Sequence, residues 1–142
     1  MSKMKAFIDS STWIFAFEFK HSNSAKVLDL ILQKKIEAII NDKVLEEVRL
    51  YFRSKKNRHF AFLVETIIRT HSMAIPSNHL EEEMRKWIGQ IKEKDLEHLA
   101  TVKHLQLTLL IATNRDFEKF LEYKTPKQFL QEYGIKTAET DY

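Results

Sequence analysis

The chain has 142 residues, 44% hydrophobic and 11% aromatic, enough to bury one sizeable core but too few for two, so a single domain over 1–142 is expected. It has no cysteine, which excludes disulfides, thiolate nucleophiles and cysteine-built zinc sites and makes the cytoplasm the default compartment. The net charge of +3, with a pI near 9.0, is compatible with a polyanionic partner without identifying one.

The opening stretch carries two lysines ahead of an apolar run, as secretion signals do, but Asp9 interrupts the run and no small-residue cleavage site follows. It reads instead as a strand over 5–9 handing over to an aromatic-rich helix over 12–19. Residues 21–24 form a polar break, and 25–34 place Val27, Leu28, Ile31 and Leu32 at helical spacing. EAII at 37–40 is the second strand. From Asn41 onward, Val44, Leu45, Val48, Tyr51 and Phe52 form one stripe of a helix that Asn41 or Asp42 can cap.

The charged stretch 54–58 interrupts that helix, and 60–68 begins another. MAIP at 73–76 is a third strand, followed by a helix over about 78–91 and a further one that Asp95 opens. LTLLIAT at 107–113 is the strongest strand signal; a short connection leads to 117–123, and the closing helix starts at Pro126 and stops at Gly134. No segment approaches the roughly 20 apolar residues of a membrane helix, so no membrane partner is expected. Short strands alternating with helices imply right-handed crossovers and a three-layer α/β/α sandwich around a mainly parallel sheet. With only 2 Gly, the chain has neither a Walker A loop nor a G-x-G-x-x-G turn, which argues against ordinary nucleotide binding.

Open parallel sheets bind ligands at the carboxyl ends of their strands, near the point where strand order reverses. Asp9 ends the first strand, and Asn114 to Asp116 follow the strand at 107–113, so these acids converge if the two strands are neighbours. Taken alone, an Asp after a strand, such as Asp9, is more often a helix cap or turn residue than a ligand. At about 100° per residue, Glu46 lies opposite the apolar stripe, on the outer face with Arg49 and Arg53, whereas Glu47 flanks the stripe and is the better ligand. Asp95 shares a face with Leu99 and Val102, at a core edge; its alternative role is an N-cap. Clustered carboxylates repel one another unless a cation balances them, and Mg²⁺ or Mn²⁺ suits an all-oxygen set. Such an ion supports phosphodiester hydrolysis.

The order of these pieces resembles the PIN domain: FIDSS with Asp9, VLEEV with Glu47, DLEHLA with Asp95, IATNRDF with Asp116, and the closing TPKQFL. The resemblance spans nearly the whole chain. It implies a parallel sheet of four or five strands, a divalent metal held by Asp9, Glu47, Asp95 and Asp116, and nuclease activity usually directed at RNA. Compact members of this length are often toxins of VapC type, held inactive by a small antitoxin and commonly homodimeric. TNRDF is a residue shorter than the family's usual T-x-D-x-D-F, so either Asp116 supplies the fourth carboxylate or Asn114 stands there as a neutral ligand. A PIN-like module that binds RNA or protein without cleaving is the alternative function.

Ser10 and Thr113 stand where PIN-like proteins often keep a small hydroxyl residue beside the metal, and each also reads as a cap or a strand-end hydrogen bond. Arg115, next to Asp116, and Arg49 and Arg53, in the basic stretch after Glu47, are candidates for phosphate contacts. His98, one turn from Asp95, could touch substrate phosphate, but it is expected to face solvent. It falls six residues from His104, on a different helix face, so no zinc site is proposed. A receiver-like regulatory domain would need adjacent acids before its first loop and a lysine after a late strand, and neither is present.

Overall fold

The computed structural model describes residues 3–142. Its frame is a five-stranded, wholly parallel sheet: β1 (Met4–Ile8), β2 (Ile36–Asn41), β3 (Ser72–Ile75), β4 (Leu110–Ile111) and β5 (Tyr123–Lys124), in the order β3-β2-β1-β4-β5. Side chains alternate across a sheet, yet Ala6, Phe7 and Ile8 are all fully buried, as are Ala38, Ile39 and Ile40. Both faces of the sheet are therefore covered, which makes the fold the expected α/β/α sandwich.

The covering helices are α1 (Ser10–Glu18), α2 (Asn23–Leu32), α3 (Asp42–Lys55), α4 (Arg58–Thr70), α5 (Glu81–Trp87), α6 (Glu93–His104) and α7 (Pro126–Tyr133). Helix α1 packs on α2 and α3, α3 on α4, α5 on α6, and α7 on α2. Each strand-to-helix handover relevant to the site is set by a local cap. Asp9 accepts from Ser11 N to start α1, and Asn41 accepts from Val44 N to start α3. At the other end of the chain, Thr125 and Gln128 form a reciprocal capping box, Pro126 opens α7, and Gly134 stops it at φ 93°, where a side chain would be strained.

Three expected elements differ in detail. The run 107–113 forms regular ladder only at Leu110–Ile111, because α6 ends close before it and Gln106, at φ 53°, turns the chain back into the sheet. The stretch 117–123 supplies the unexpected edge strand β5, which pairs Tyr123 with Leu110 and Lys124 with Ile111. The helix expected over 78–91 is broken into a 3-10 turn at Ser77–His79 and the short α5, with Gly89 at φ 85° beyond it.

The topology fixes where a site can form. The chain leaves β1 toward β2 and β3 on one side and returns to place β4 on the other, so the switch point lies between β1 and β4. There Phe7 aligns with Leu110 and Ile8 with Ile111, and Asp9 N donates to Ile111 O at 3.0 Å. The segments leaving the two strands at their carboxyl ends are thereby held side by side.

Candidate active site

Asp9 sits at this edge, 3% exposed. Its Oδ2 accepts from Ser11 N at 3.2 Å and from Ser11 Oγ at 2.6 Å, so it serves as the cap of α1 while Oδ1 faces His98 Nε2 at 3.8 Å. The cap and the site are one arrangement, since Ser11 Oγ also accepts from Thr113 N, at 3.2 Å, tying the end of β1 to the segment after β4.

Glu47 projects from the second turn of α3, and Glu46 beside it is exposed, as the helical geometry requires. Glu47 Oε1 accepts from Ser10 Oγ at 3.1 Å and from His98 Nε2 at 2.6 Å. Burial would raise the Glu47 pKa, but the His98 and Ser10 hydrogen bonds and the Lys43 charge outweigh it and hold the carboxyl below its usual range.

Asp95 lies in the first turn of α6, 5% exposed. Its Oδ1 accepts from Asn114 Nδ2 at 3.3 Å, and its Oδ2 is buried without any hydrogen-bond partner. Burial raises its pKa, and the neighbouring Asp9 and Asp116 carboxylates add to that rise against the pull of Lys94. Asp116 stands on the 3-10 turn Arg115–Phe117, with Oδ1 at 3.2 Å from Lys92 Nζ and Oδ2 at 3.5 Å from Lys94 Nζ. The hydrogen bond and charge of Lys92, joined by Lys94, depress its pKa.

Asn114 is spent within the turn: its Oδ1 accepts from Asp116 N at 2.9 Å while its Nδ2 serves Asp95. Of the two residues considered for the fourth position, Asn114 has both amide atoms engaged, and Asp116 carries a carboxylate whose ion pairs among the described residues are with lysines only. Arg115 is exposed at the rim. Arg49 and Arg53 lie about 200° and 240° around α3 from Glu47. Arg49 faces Glu65 of α4 at 4.0 Å, so these two cations are not gathered with the acids.

His98 corrects the sequence reading. It does not face solvent but is 1% exposed, packed against Phe7 at 5.4 Å between ring centroids, with Nε2 between the Asp9 and Glu47 carboxylates. Burial opposes a charge on the ring, while the hydrogen bond to Glu47 and the charges of Asp9 and Glu47 raise its pKa. The signal was present in DLEHLA: His98 falls on the same helical stripe as Asp95, Leu99 and Val102, all of which are buried. Lys92 and Lys94 were also missed, because nothing in a linear pattern marks a lysine ahead of a helix as the partner of an acid beyond a distant strand.

A family profile described as PIN domain matches residues 6–121. The chain belongs to the PIN domain family. No curated protein sequence matches it. Among solved structures, this PIN domain resembles VapBC2 from Rickettsia felis, bound to a DNA fragment from its promoter, at 19% identity and TM-score 0.65 over 86% of this chain and 98% of that one. It is also similar to VapC20 of Mycobacterium tuberculosis, a sarcin-ricin loop cleaving toxin, at 17% identity and TM-score 0.64 over 80% and 93%. DNA-bound VapBC from Salmonella typhimurium matches at 13% identity and TM-score 0.67 over 87% and 98%. At these identities the likeness is one of fold.

The PIN domain's acids are gathered but not yet arranged as a cage. Among the described residues, no three His, Asp or Glu side chains stand ready to hold a metal ion as placed. Lys92 and Lys94 hold Asp116, and His98 Nε2 contacts one oxygen of each of Asp9 and Glu47. The donor set nevertheless fits a hard divalent cation, for it is all carboxylate oxygen and includes Asp95 Oδ2, which is buried without a hydrogen bond and has Lys94 Nζ 4.0 Å away.

Proposed function

We propose that this PIN domain is an endoribonuclease dependent on Mg²⁺ or Mn²⁺, and that it is the toxin of a toxin-antitoxin pair. The observation that carries the reading is Asp95 Oδ2, buried without a hydrogen bond beside the Asp9 and Asp116 carboxylates at the switch point of the sheet, with the exposed Lys94 Nζ 4.0 Å away. A buried acceptor of that kind is costly unless a cation or a proton completes it. Asp9, Glu47, Asp95 and Asp116 would hold the ion. When bound, it would lower the pKa of a water and stabilise charge on the phosphate under attack.

The chain's own residues supply the rest. Ser10 and His98 hold Glu47, Ser11 holds Asp9, and Asn114 holds Asp95, each by a hydrogen bond to one carboxylate oxygen. Arg115 at the rim would grip RNA phosphate, with Thr113 and Asn114 beneath it and Arg49 and Arg53 as outlying contacts. A small antitoxin is the partner that the VapBC-like fold suggests, and a homodimer would cover the exposed Phe62, Leu63 and Ile67 along α4. No helix among the described residues is long and apolar enough to cross a membrane; the cysteine-free sequence supports a cytoplasmic location.

A second reading, a PIN module that binds RNA or protein without cutting, is favoured by one observation: Lys92 and Lys94 already neutralise Asp116. Incubating a mixed, structured RNA pool with the protein plus Mg²⁺ or Mn²⁺, beside an EDTA control and Asp9→Asn, separates the two. Metal-dependent cleavage lost in the variant supports the nuclease, whereas intact RNA throughout with a folded protein supports the binding module.

A further inference from the structure

We propose that His98 is a positioning residue for Glu47, holding one of its carboxylate oxygens so that the other is presented to the cation; this rests on the ribonuclease reading above. The argument begins with Asn41, which is fully buried at the end of β2. Its Oδ1 caps α3 by accepting from Val44 N at 2.9 Å, so the amide cannot turn over without losing the cap. Its Nδ2 consequently faces Thr101 Oγ1 at 2.9 Å, His98 Nδ1 at 3.1 Å and Glu97 O at 3.3 Å.

Thr101 spends its hydroxyl proton on Glu97 O at 2.8 Å and therefore receives from Asn41. An amide nitrogen accepts no proton, so His98 Nδ1 has nothing to donate to there, whereas Nε2 faces a carboxylate oxygen that accepts; the ring N–H is therefore placed on Nε2. That N–H points at Glu47 Oε1, at 2.6 Å, and Ser10 Oγ reaches the same oxygen at 3.1 Å. Among the described residues, no hydrogen bond is made to Glu47 Oε2. Both donors thus converge on one oxygen and leave the other for a ligand.

Asn41 acts twice in this arrangement. It starts the helix that carries Glu47, and it sets the tautomer of the histidine that aims Glu47. Outer groups that orient metal ligands work in this way, by removing alternative rotamers before the ion arrives. A buried histidine whose only task was to satisfy polar neighbours would affect stability but not cation affinity.

The test compares wild type, His98→Phe, His98→Gln and Val102→Ala. Phenylalanine fills the space without a donor, glutamine retains an N–H, and Val102, fully buried on the same helix, reports core loss alone. Mn²⁺ affinity is read by electron paramagnetic resonance at a temperature where circular dichroism shows each protein folded. His98→Phe is expected to bind Mn²⁺ about 10- to 100-fold more weakly, and His98→Gln and Val102→Ala to stay within about threefold of wild type. Wild-type binding with equal affinity in His98→Phe overturns the positioning role alone. Wild-type protein that binds no Mn²⁺ overturns the metal-dependent reading itself, and this inference with it.

Discussion

Lys92 Nζ lies 3.2 Å from Asp116 Oδ1, so a side chain from just before α6 closes the acidic cluster where a cation would otherwise sit. Lys94 Nζ approaches the other oxygen at 3.5 Å. Both lysines are mostly exposed and compete with a metal for the same carboxylate. Replacing both with alanine should tighten Mn²⁺ binding by about two- to fivefold, the scale of an exposed ion pair, with little change in thermal midpoint. Calorimetric titration of Mn²⁺ reads this; unchanged or weaker binding would mean that the lysines do not compete at the site.

Asp9 caps α1 and, in the proposed function, holds the cation, and different substitutions separate the two. Asp9→Asn keeps an oxygen for Ser11 and hence the cap of α1, so stability should hold while metal-dependent cleavage falls below detection. Asp9→Ala also removes the cap and should cost about 1 kcal/mol of stability in addition. Urea unfolding and an RNA cleavage assay on the pair distinguish the roles, and cleavage by Asp9→Asn at the wild-type rate would remove Asp9 from the site.

Asp95 makes metal-free stability depend on pH with a definite sign. Its folded pKa is raised, chiefly by burial, so the folded state binds more protons than the unfolded state as this group titrates. Stability from this group should therefore increase as pH falls from above the raised folded pKa to below the unfolded pKa, where the contribution is complete, and decline as pH rises back through that window. Asp95→Asn should flatten that dependence and raise the neutral-pH midpoint, by about 2–4 °C per kcal/mol gained for a domain near this size. Scanning calorimetry in EDTA across mildly acidic to neutral pH would show it; a variant whose profile parallels wild type would refute the assignment.

Metal should stabilise the same protein that it activates. A ligand that binds only the folded chain at 100 times its Kd adds about 2.7 kcal/mol, so saturating Mn²⁺ should raise the wild-type melting point and EDTA should reverse it. Because the ion binds the ionised carboxylate and burial raises the Asp95 pKa, the gain should shrink as the pH is lowered. Differential scanning fluorimetry of wild type and Asp95→Asn gives the comparison, and equal shifts in both would exclude Asp95 as a ligand.

Much of this was legible locally. Asp9 and Asn41 announce helix starts because a short polar side chain after an apolar run caps free amides, and Pro126 and Gly134 bracket α7 by backbone preference alone. Glu47 could be told from Glu46 by angle, since a helix fixes which of two adjacent residues borders the core. The edge strand at Tyr123–Lys124 was not legible: two residues carry no periodicity, and β4 is what makes them a strand.

The amino-acid sequence by itself determined the alternation of strands and helices, the caps that begin them, and the carboxylates that fall at strand ends, because each depends on neighbours within a few residues. Tertiary structure alone decided that Asp95 would leave a buried oxygen without a hydrogen bond, that Lys92 and Lys94 would hold Asp116, and that His98 would lie buried between Asp9 and Glu47. Those relationships join segments separated by tens of residues. Burial and charge act through space, and only the folded sheet brings the two ends of each relationship together.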